Sequence, residues 1–333
     1  MTRKYTTLED VALAAGMSRA QVSRALRGDP GVKPETREHV AQVAKTLGYQ
    51  PNIAARALVS AQPDTVGIII GEPTNPFHIQ LAQAIDAELQ RVGLDSVVSL
   101  RAQDDPATLR EGDRLLRLRV AGVILISKPR NKEALAALAE QLPCVYLGKR
   151  VNHSNVSTID IDDKSGVEQA IGHLIALGHR RIAHLAGTVE ISARERTAAY
   201  RAAMRHAGLA ANVVMGTHDV ASGRRGVDTL AEQGEFPTAI FASNDAIALG
   251  AIDRLKGRGL RVPEDVSVIG FDDIPDATSE MLALTTVRQD VDQQAREAVA
   301  ALQLLAFSTV RKVIRKVLPV SLVVRRSAGP PRN

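Results

Sequence analysis

Two arginines, Arg19 and Arg24, stand five residues apart in the stretch GMSRAQVSRALRG, which runs from Gly16 to Gly28. A guanidinium can donate two parallel hydrogen bonds to O6 and N7 of guanine, worth on the order of 1–3 kcal/mol of base discrimination. Ser18, with Gln21 three residues later, makes a capping box that opens a helix here. On that helix Arg19 and Ala20 would point into a major groove, with Arg24 about one turn further on. Lys33, Arg37 and Lys45 suit phosphates, which position a protein on a duplex without reading its sequence. The competing reading of these residues is a solvated basic face.

Other constellations point away from catalysis. Asp272 and Asp273 in GFDDIPD could pair on a metal or a substrate, but adjacent carboxylates at a strand end point apart. No HExxH or Cys/His ligand spacing accompanies them. His179 and His184 flank or enter a strand and read as structural residues. GTVEISARER lacks the Lys-Ser/Thr of a phosphate loop, and no GxGxxG occurs. No catalytic residue, metal or cofactor is therefore expected. Cys144, the only cysteine, forms no intrachain disulfide and reads as a small buried apolar residue.

The elements that must carry these residues fall into two kinds. Leu8, Val11, Ala12 and Ala15 recur at helical spacing behind Thr7, and Gly16 ends that helix. Val22, Ala25 and Leu26 share one face of the second helix. A third begins at KPETR, with Pro34 at a first-turn position, and buries Val40, Val43, Ala44 and Leu47 before GYQPN stops it. Helix, Gly-containing turn, helix, third helix is a helix-turn-helix layout. Asn52 can cap IAARALVS, too short for a stable isolated helix, and AQPD follows as a linker. From Val66 the strand-length runs VGIII, VAGVILI, PCVYLG, RIAHLAG, PTAIFAS and VSVIGFD alternate with amphipathic helices, the signature of parallel sheets covered on both faces. A series this long predicts two similar subdomains with a cleft at the carboxyl ends of their strands, dividing near 150.

Charge follows the same partition. The net charge is +5, yet residues 1–62 hold nine Lys/Arg against five acids, while the remaining residues hold 33 against 32. The excess sits where a polyanion would be met. No Trp and 3% aromatic residues argue against a platform for stacking single-stranded bases. The N-terminus lacks the apolar core of a signal peptide, and no apolar stretch is long enough to span a bilayer, so a cytoplasmic location away from membranes is expected.

The order of motifs resembles the lac/galactose repressor family of bacterial transcription regulators along almost the whole chain. Its carriers are TLEDVALAAGMSRAQVSRAL, VKPETREHVAQVAKTLGYQPNIAARAL, LGHRRIAHLAG, RERTAAYRAAM, AIFASNDAIALGA, PEDVSVIGFDDI, LTTVRQD and LPVSLVVRRS. The resemblance implies an all-α helix-turn-helix domain over 1–50 and a hinge helix and linker over 51–63. An α/β effector-binding and dimerisation domain, like a periplasmic binding protein, would occupy 64–333, with the chain crossing back between subdomains near 285. It implies a homodimer on a pseudo-palindromic operator in double-stranded DNA. Arg19, Ala20 and Arg24 would contact bases, and Thr7, Ser18, Ser23, Lys33, Arg37, Lys45 and Asn52 phosphates. Ala55, Arg56 and Leu58 would enter the minor groove. Phe77, His78, Lys149, Arg196, His218, Asn244, Asp272 and Gln289 would bind a small effector, most simply a carbohydrate, since an Arg fork, an amide and a carboxylate satisfy many hydroxyls. Gln21, Arg27 and Lys33 depart from the Thr, Asn and capping Ser common in the family. A solute-binding protein or an enzyme on the same cleft is the alternative, but neither accounts for residues 1–62.

Overall fold

A computed structural model describes residues 6–49, 63–100, 105–126, 132–187 and 191–332. The chain separates into two compact units, Met1–Pro63 and Asp64–Asn333.

The first unit has α1 (Leu8–Ala15), α2 (Arg19–Leu26) and α3 (Pro34–Thr46) around a core of Val11, Ala12, Val22, Ala25, Val40 and Ala44. Capping boxes open the first two helices: Thr7 with Asp10, and Ser18 with Gln21. Gly16 ends α1 at φ 64°, a left-handed conformation that costs glycine nothing. Pro34 occupies the first turn of α3, but Lys33 at its cap makes no side-chain cap bond. A serine at this position should therefore stabilise that turn. Lys33→Ser is expected to slow hydrogen exchange of the Thr36 amide about two- to five-fold, the equivalent of roughly 0.5–1 kcal/mol. An unchanged rate would remove the cap argument. The stretch with Asn52, Ala55, Arg56 and Leu58 lies outside the described residues.

The second unit contains two six-stranded sheets. The first is built from β1 (Thr65–Ile70), β2 (Asp95–Ser99), β3 (Val123–Ile126), β4 (Cys144–Leu147), β5 (Val156–Ile161) and β11 (Arg315–Leu318), ordered β11-β5-β4-β3-β1-β2. The second is built from β6 (Ile182–Leu185), β7 (Asn212–Val214), β8 (Ala239–Ala242), β9 (Ser267–Asp272), β10 (Thr285–Gln289) and β12 (Val320–Val323), ordered β12-β10-β9-β8-β6-β7. Every pairing is parallel except β10 with β12. The central strands β3, β4 and β8 are buried along their whole length, as sheets covered on both faces require.

The first crossing between the sheets falls later than the division near 150. The chain leaves the first sheet after β5, one strand further on, because β5 adds in parallel register to β4, Cys144 beside Val156. The link between these strands contains no helix, unusual for a parallel connection, and so it reads in sequence as a boundary. After β10 the chain returns through α11 (Val291–Ala306), which packs on α4 (Pro76–Arg91), β4 and β5. Only Pro319 separates β11 in one sheet from β12 in the other. The last three residues of the basic run 310–317, together with Leu318, thus form an edge strand in which Arg315, Lys316 and Val317 are exposed and Leu318 is buried.

Candidate functional site

In the first unit the exposed face of α2 carries Arg19, Ala20 and Arg24, opposite buried Val22 and Ala25. Arg19 lies 3.3 Å from the Glu9 carboxylate, and Arg24 3.4 Å from Asp29. Thr7 and Ser18 use their hydroxyls in the helix caps, and the Ser23 hydroxyl accepts from Arg27 at 2.8 Å. Lys33 and Lys45 are exposed, whereas Arg37 is half-buried and donates to the Asp29 carbonyl at 2.8 Å. The charged groups on this surface are thus mostly basic, held by a few carboxylates.

In the second unit a cavity of about 800 Å³, its open mouth included, lies at the carboxyl ends of both sets of strands, where α/β folds place ligands. Of the expected residues, Phe77, His78, Arg196, His218, Asn244, Asp272 and Gln289 all line it. Each comes from the residues following a strand or from its last position: Phe77 and His78 after β1, Arg196 in α8 (Ile191–His206) after β6, and His218 after β7. Asn244 follows β8, Asp272 ends β9 and Gln289 ends β10.

The polar groups are oriented by one another. Arg196, almost fully buried, donates from Nε to Asp163 at 2.7 Å and from Nη1 to the Ser243 carbonyl at 2.6 Å. Its guanidinium carbon stands 3.5 Å from the Phe271 ring centroid and its Nη1 lies 3.7 Å from Asp272. Gln289 donates to Asp272 at 2.7 Å, and Gln294 to Gln289 at 3.3 Å. Burial pushes the Asp272 carboxyl above the usual carboxylate range, against the pull of Arg196 and Gln289. Asn244 caps α10 (Asp245–Gly257), its Oδ1 accepting from the Ile247 amide at 2.9 Å. That fixes its amide group with the nitrogen edge toward His218, whose carbonyl is 3.5 Å away. On the opposite wall His78 Nδ1 lies 3.1 Å from the Glu72 carbonyl, and the Glu72 carboxylate 3.8 Å from His218.

Lys149 departs from expectation. It does not line the cavity but sits among Asp160, Asp163 and Glu195 at 3.1, 3.0 and 2.7 Å. Burial opposes its charge, and Asp163, Glu195 and Asp160 together outweigh that and raise its pKa. The long side chain reaches Asp163, the same carboxylate that holds Arg196, so it supports the wall from behind. Sequence reasoning missed Glu72, Asn75, Tyr146, Ser192 and Gln294, which also line the cavity. For Glu72, Asn75, Ser192 and Gln294 a position after a strand was the available signal, which polar type alone did not separate from solvated loop residues; Tyr146 lies within β4 and reads as a core strand residue.

Asp272 and Asp273 do diverge: Asp273 turns to Arg288 and Arg325, at 2.6 Å from each. Both aspartates have positive φ, 122° and 63°, a strained pair of the kind held only where surroundings over-determine it. His179 and His184 are buried and hydrogen-bonded, His179 to Thr238, Ser267 and the Gly329 carbonyl. Among the described residues no group of His, Cys, Asp or Glu is arranged to hold a metal ion. No helix among them is long and apolar enough to cross a membrane. Burial pushes the Cys144 thiol up to about 12, which leaves it unreactive.

Comparison with known proteins adds the following. Residues 7–52 match the family described as bacterial regulatory proteins, lacI family, and residues 171–328 match a periplasmic binding protein-like domain. The HTH-type transcriptional regulator CelR of Thermobifida fusca is 35% identical over 98% of this chain and 99% of its own. A solved lac repressor dimer bound to operator and the anti-inducer ONPF superposes with a TM-score of 0.83 at 30% identity, covering 98% of this chain and 100% of that one. A CelR–cellobiose complex gives a TM-score of 0.73 at 32% identity over 97% and 99% of the two chains.

Proposed function

The chain belongs to the lacI family of bacterial regulatory proteins, and from that premise we propose that it is a homodimeric, cytoplasmic repressor, without catalytic activity or cofactor, whose hold on a pseudo-palindromic operator is set by a carbohydrate bound in the cavity of the second unit. The observation that carries the reading is the cavity wall itself. An Arg fork, an amide and a carboxyl, each fixed by a second hydrogen bond, converge on one cavity at the carboxyl ends of the strands. That CelR is known with cellobiose supports a sugar. Arg19, Ala20 and Arg24 are assigned to base edges; Thr7, Ser18, Ser23, Lys33, Arg37, Lys45 and Asn52 to phosphates; Ala55, Arg56 and Leu58 to the minor groove at the dyad. Phe77, His78, Arg196, His218, Asn244, Asp272 and Gln289 are assigned to the effector, with Lys149 behind them. The organisation proposed is a DNA-binding domain over 1–50, a hinge over 51–63 and the effector domain beyond.

Control follows from linkage. An effector shifts DNA affinity only by the difference in its affinity for the two arrangements of the sheets. Selection of bound sites from randomised duplexes, then titration of the best site against neutral sugars, sugar acids and amino sugars, tests both halves of the reading. A palindromic site whose affinity one sugar shifts is the expected result; no selected site, or a site indifferent to every ligand the cavity binds, would sink it. Arg19→Ala should relax base preference at one half-site position, by about 5- to 100-fold. Lys45→Ala should weaken all duplexes alike and lower the salt slope by about one. Identical selected motifs for wild type and Arg19→Ala would show that the groove assignment is wrong.

A further inference from the structure

The turn between α2 and α3 holds a carboxylate that the reading above does not use. Asp29 accepts from Arg27, Nε to Oδ1 at 3.4 Å and Nη2 to Oδ2 at 3.3 Å, and its Oδ2 lies 3.4 Å from Nε of Arg24. Arg27 is steadied in turn by the Ser23 hydroxyl, and Arg37 by the Asp29 carbonyl. On its other side the Arg24 guanidinium lies against Gly31, where a Cβ would come within 3.0 Å of Nη2. A carboxylate at Nε thus holds one side of a side chain that remains 54% exposed, and the bare Cα of Gly31 leaves the room that Nη2 occupies.

We propose that Asp29 and Gly31 form a bracket that presets the Arg24 guanidinium for reading a base pair, which makes both of them positioning residues for operator specificity. The inference rests on the assignment of Arg24 to a base edge. A free arginine loses rotamer entropy when it is immobilised on a partner. One already held through Nε loses less and still has both η nitrogens for the planar, paired contact that guanidinium makes. The hydrogen bond from Arg27, ahead of the opposing effect of burial, holds the Asp29 carboxyl below the usual range, so the bracket is charged at neutral pH. By pairing with Arg27, Asp29 also offsets part of the attraction to any duplex.

The test uses the full-length protein and a selected operator. Arg24→Ala first identifies the base pair it reads, as the position whose preference, about 5- to 100-fold, collapses. Asp29→Asn and Gly31→Ala are then titrated by fluorescence anisotropy against the operator, the operator changed at that pair, and an unrelated duplex, at several salt concentrations. Both variants are expected to lose most of the discrimination at that pair, falling below about three-fold, and to keep it elsewhere. Asp29→Asn should also bind the unrelated duplex more tightly and with a steeper salt slope, and Gly31→Ala, which changes no charge, should not. Wild-type discrimination in Gly31→Ala, or a uniform affinity change in Asp29→Asn, overturns the bracket and leaves the Arg24 assignment standing. If Arg24→Ala alters no base preference, the assignment itself fails and the bracket with it.

Discussion

Replacing Arg196 with Ala is expected to destabilise the second unit by about 3–5 kcal/mol and to abolish the response to effector. The side chain is 7% exposed and holds Asp163, the Ser243 carbonyl and Asp272 together over the Phe271 ring. Removing it leaves Asp163 with Lys149 at 3.0 Å and Asp272 with the Gln289 amide, so buried carboxylates lose their principal cation, the costly half of breaking a buried pair. The fork that would meet ligand hydroxyls goes at the same time. Arg196→Lys retains charge but presents one ammonium to three acceptors, so it should be less damaging to stability and nearly as damaging to binding. Urea unfolding read by circular dichroism and calorimetric titration with the identified sugar check the two parts. A variant that unfolds at the wild-type urea concentration and binds with the wild-type Kd would refute the account. Operator binding by the first unit should persist in the cold and no longer answer to the sugar.

How much of this was legible in the sequence depends on range. The helix starts at Thr7 and Ser18, the stop at Gly16 and the first turn at Pro34 are set by neighbours within four residues, and the side-chain caps show it. The buried strands announced themselves as short apolar runs. Resemblance supplied the cavity residues, and their position after strands explains why they converge. What escaped was non-local. Lys149 reads as a ligand contact until Asp160, Asp163 and Glu195 arrive from three other elements. The partner of β11 is β5, some 150 residues earlier, and a strand with three of its four residues exposed has no distinctive periodicity.

Acid should expose a second buried group. Between pH 6.5 and 4 wild type is expected to lose about 3 kcal/mol more stability than His184→Gln. The imidazole is fully buried, stacked 5.0 Å from Phe241, with Nδ1 3.0 Å from the Phe241 carbonyl and Nε2 3.2 Å from Thr197 Oγ1. The carbonyl calls for a proton on Nδ1 and by itself favours the charged ring, but complete burial outweighs it and makes the neutral ring the native form. Burial holds its pKa down to about 4, from an ordinary 6.5. The folded state thus binds fewer protons than the unfolded chain in this window, so the contribution is complete above pH 6.5 and is lost as pH falls through about 4. Asp272 and Asp245, both raised by burial, act in the opposite sense: their contribution is complete below the ordinary Asp value and is lost as pH rises. Comparing wild type with His184→Gln across the same pH series cancels them. Parallel stability curves for the two proteins would show that His184 does not titrate with unfolding.

The edge strand β11 has a consequence for synthesis. The first sheet takes its last strand from residues 315–318 of a 333-residue chain, and α11, which covers β4 and β5, is made only shortly before it. On the ribosome, therefore, both sheets stay incomplete until β11 and then β12 (Val320–Val323) have been made, and spatial halves are not successive products of translation. Until β11 arrives, the open side of β5, with Val156, Ile159 and Ile161 on a strand that is buried in the finished protein, is a template for pairing with another nascent chain. Ribosome pausing or premature termination ahead of Arg315 should accordingly yield aggregate, and the four codons of β11 weigh on solubility out of proportion to their number.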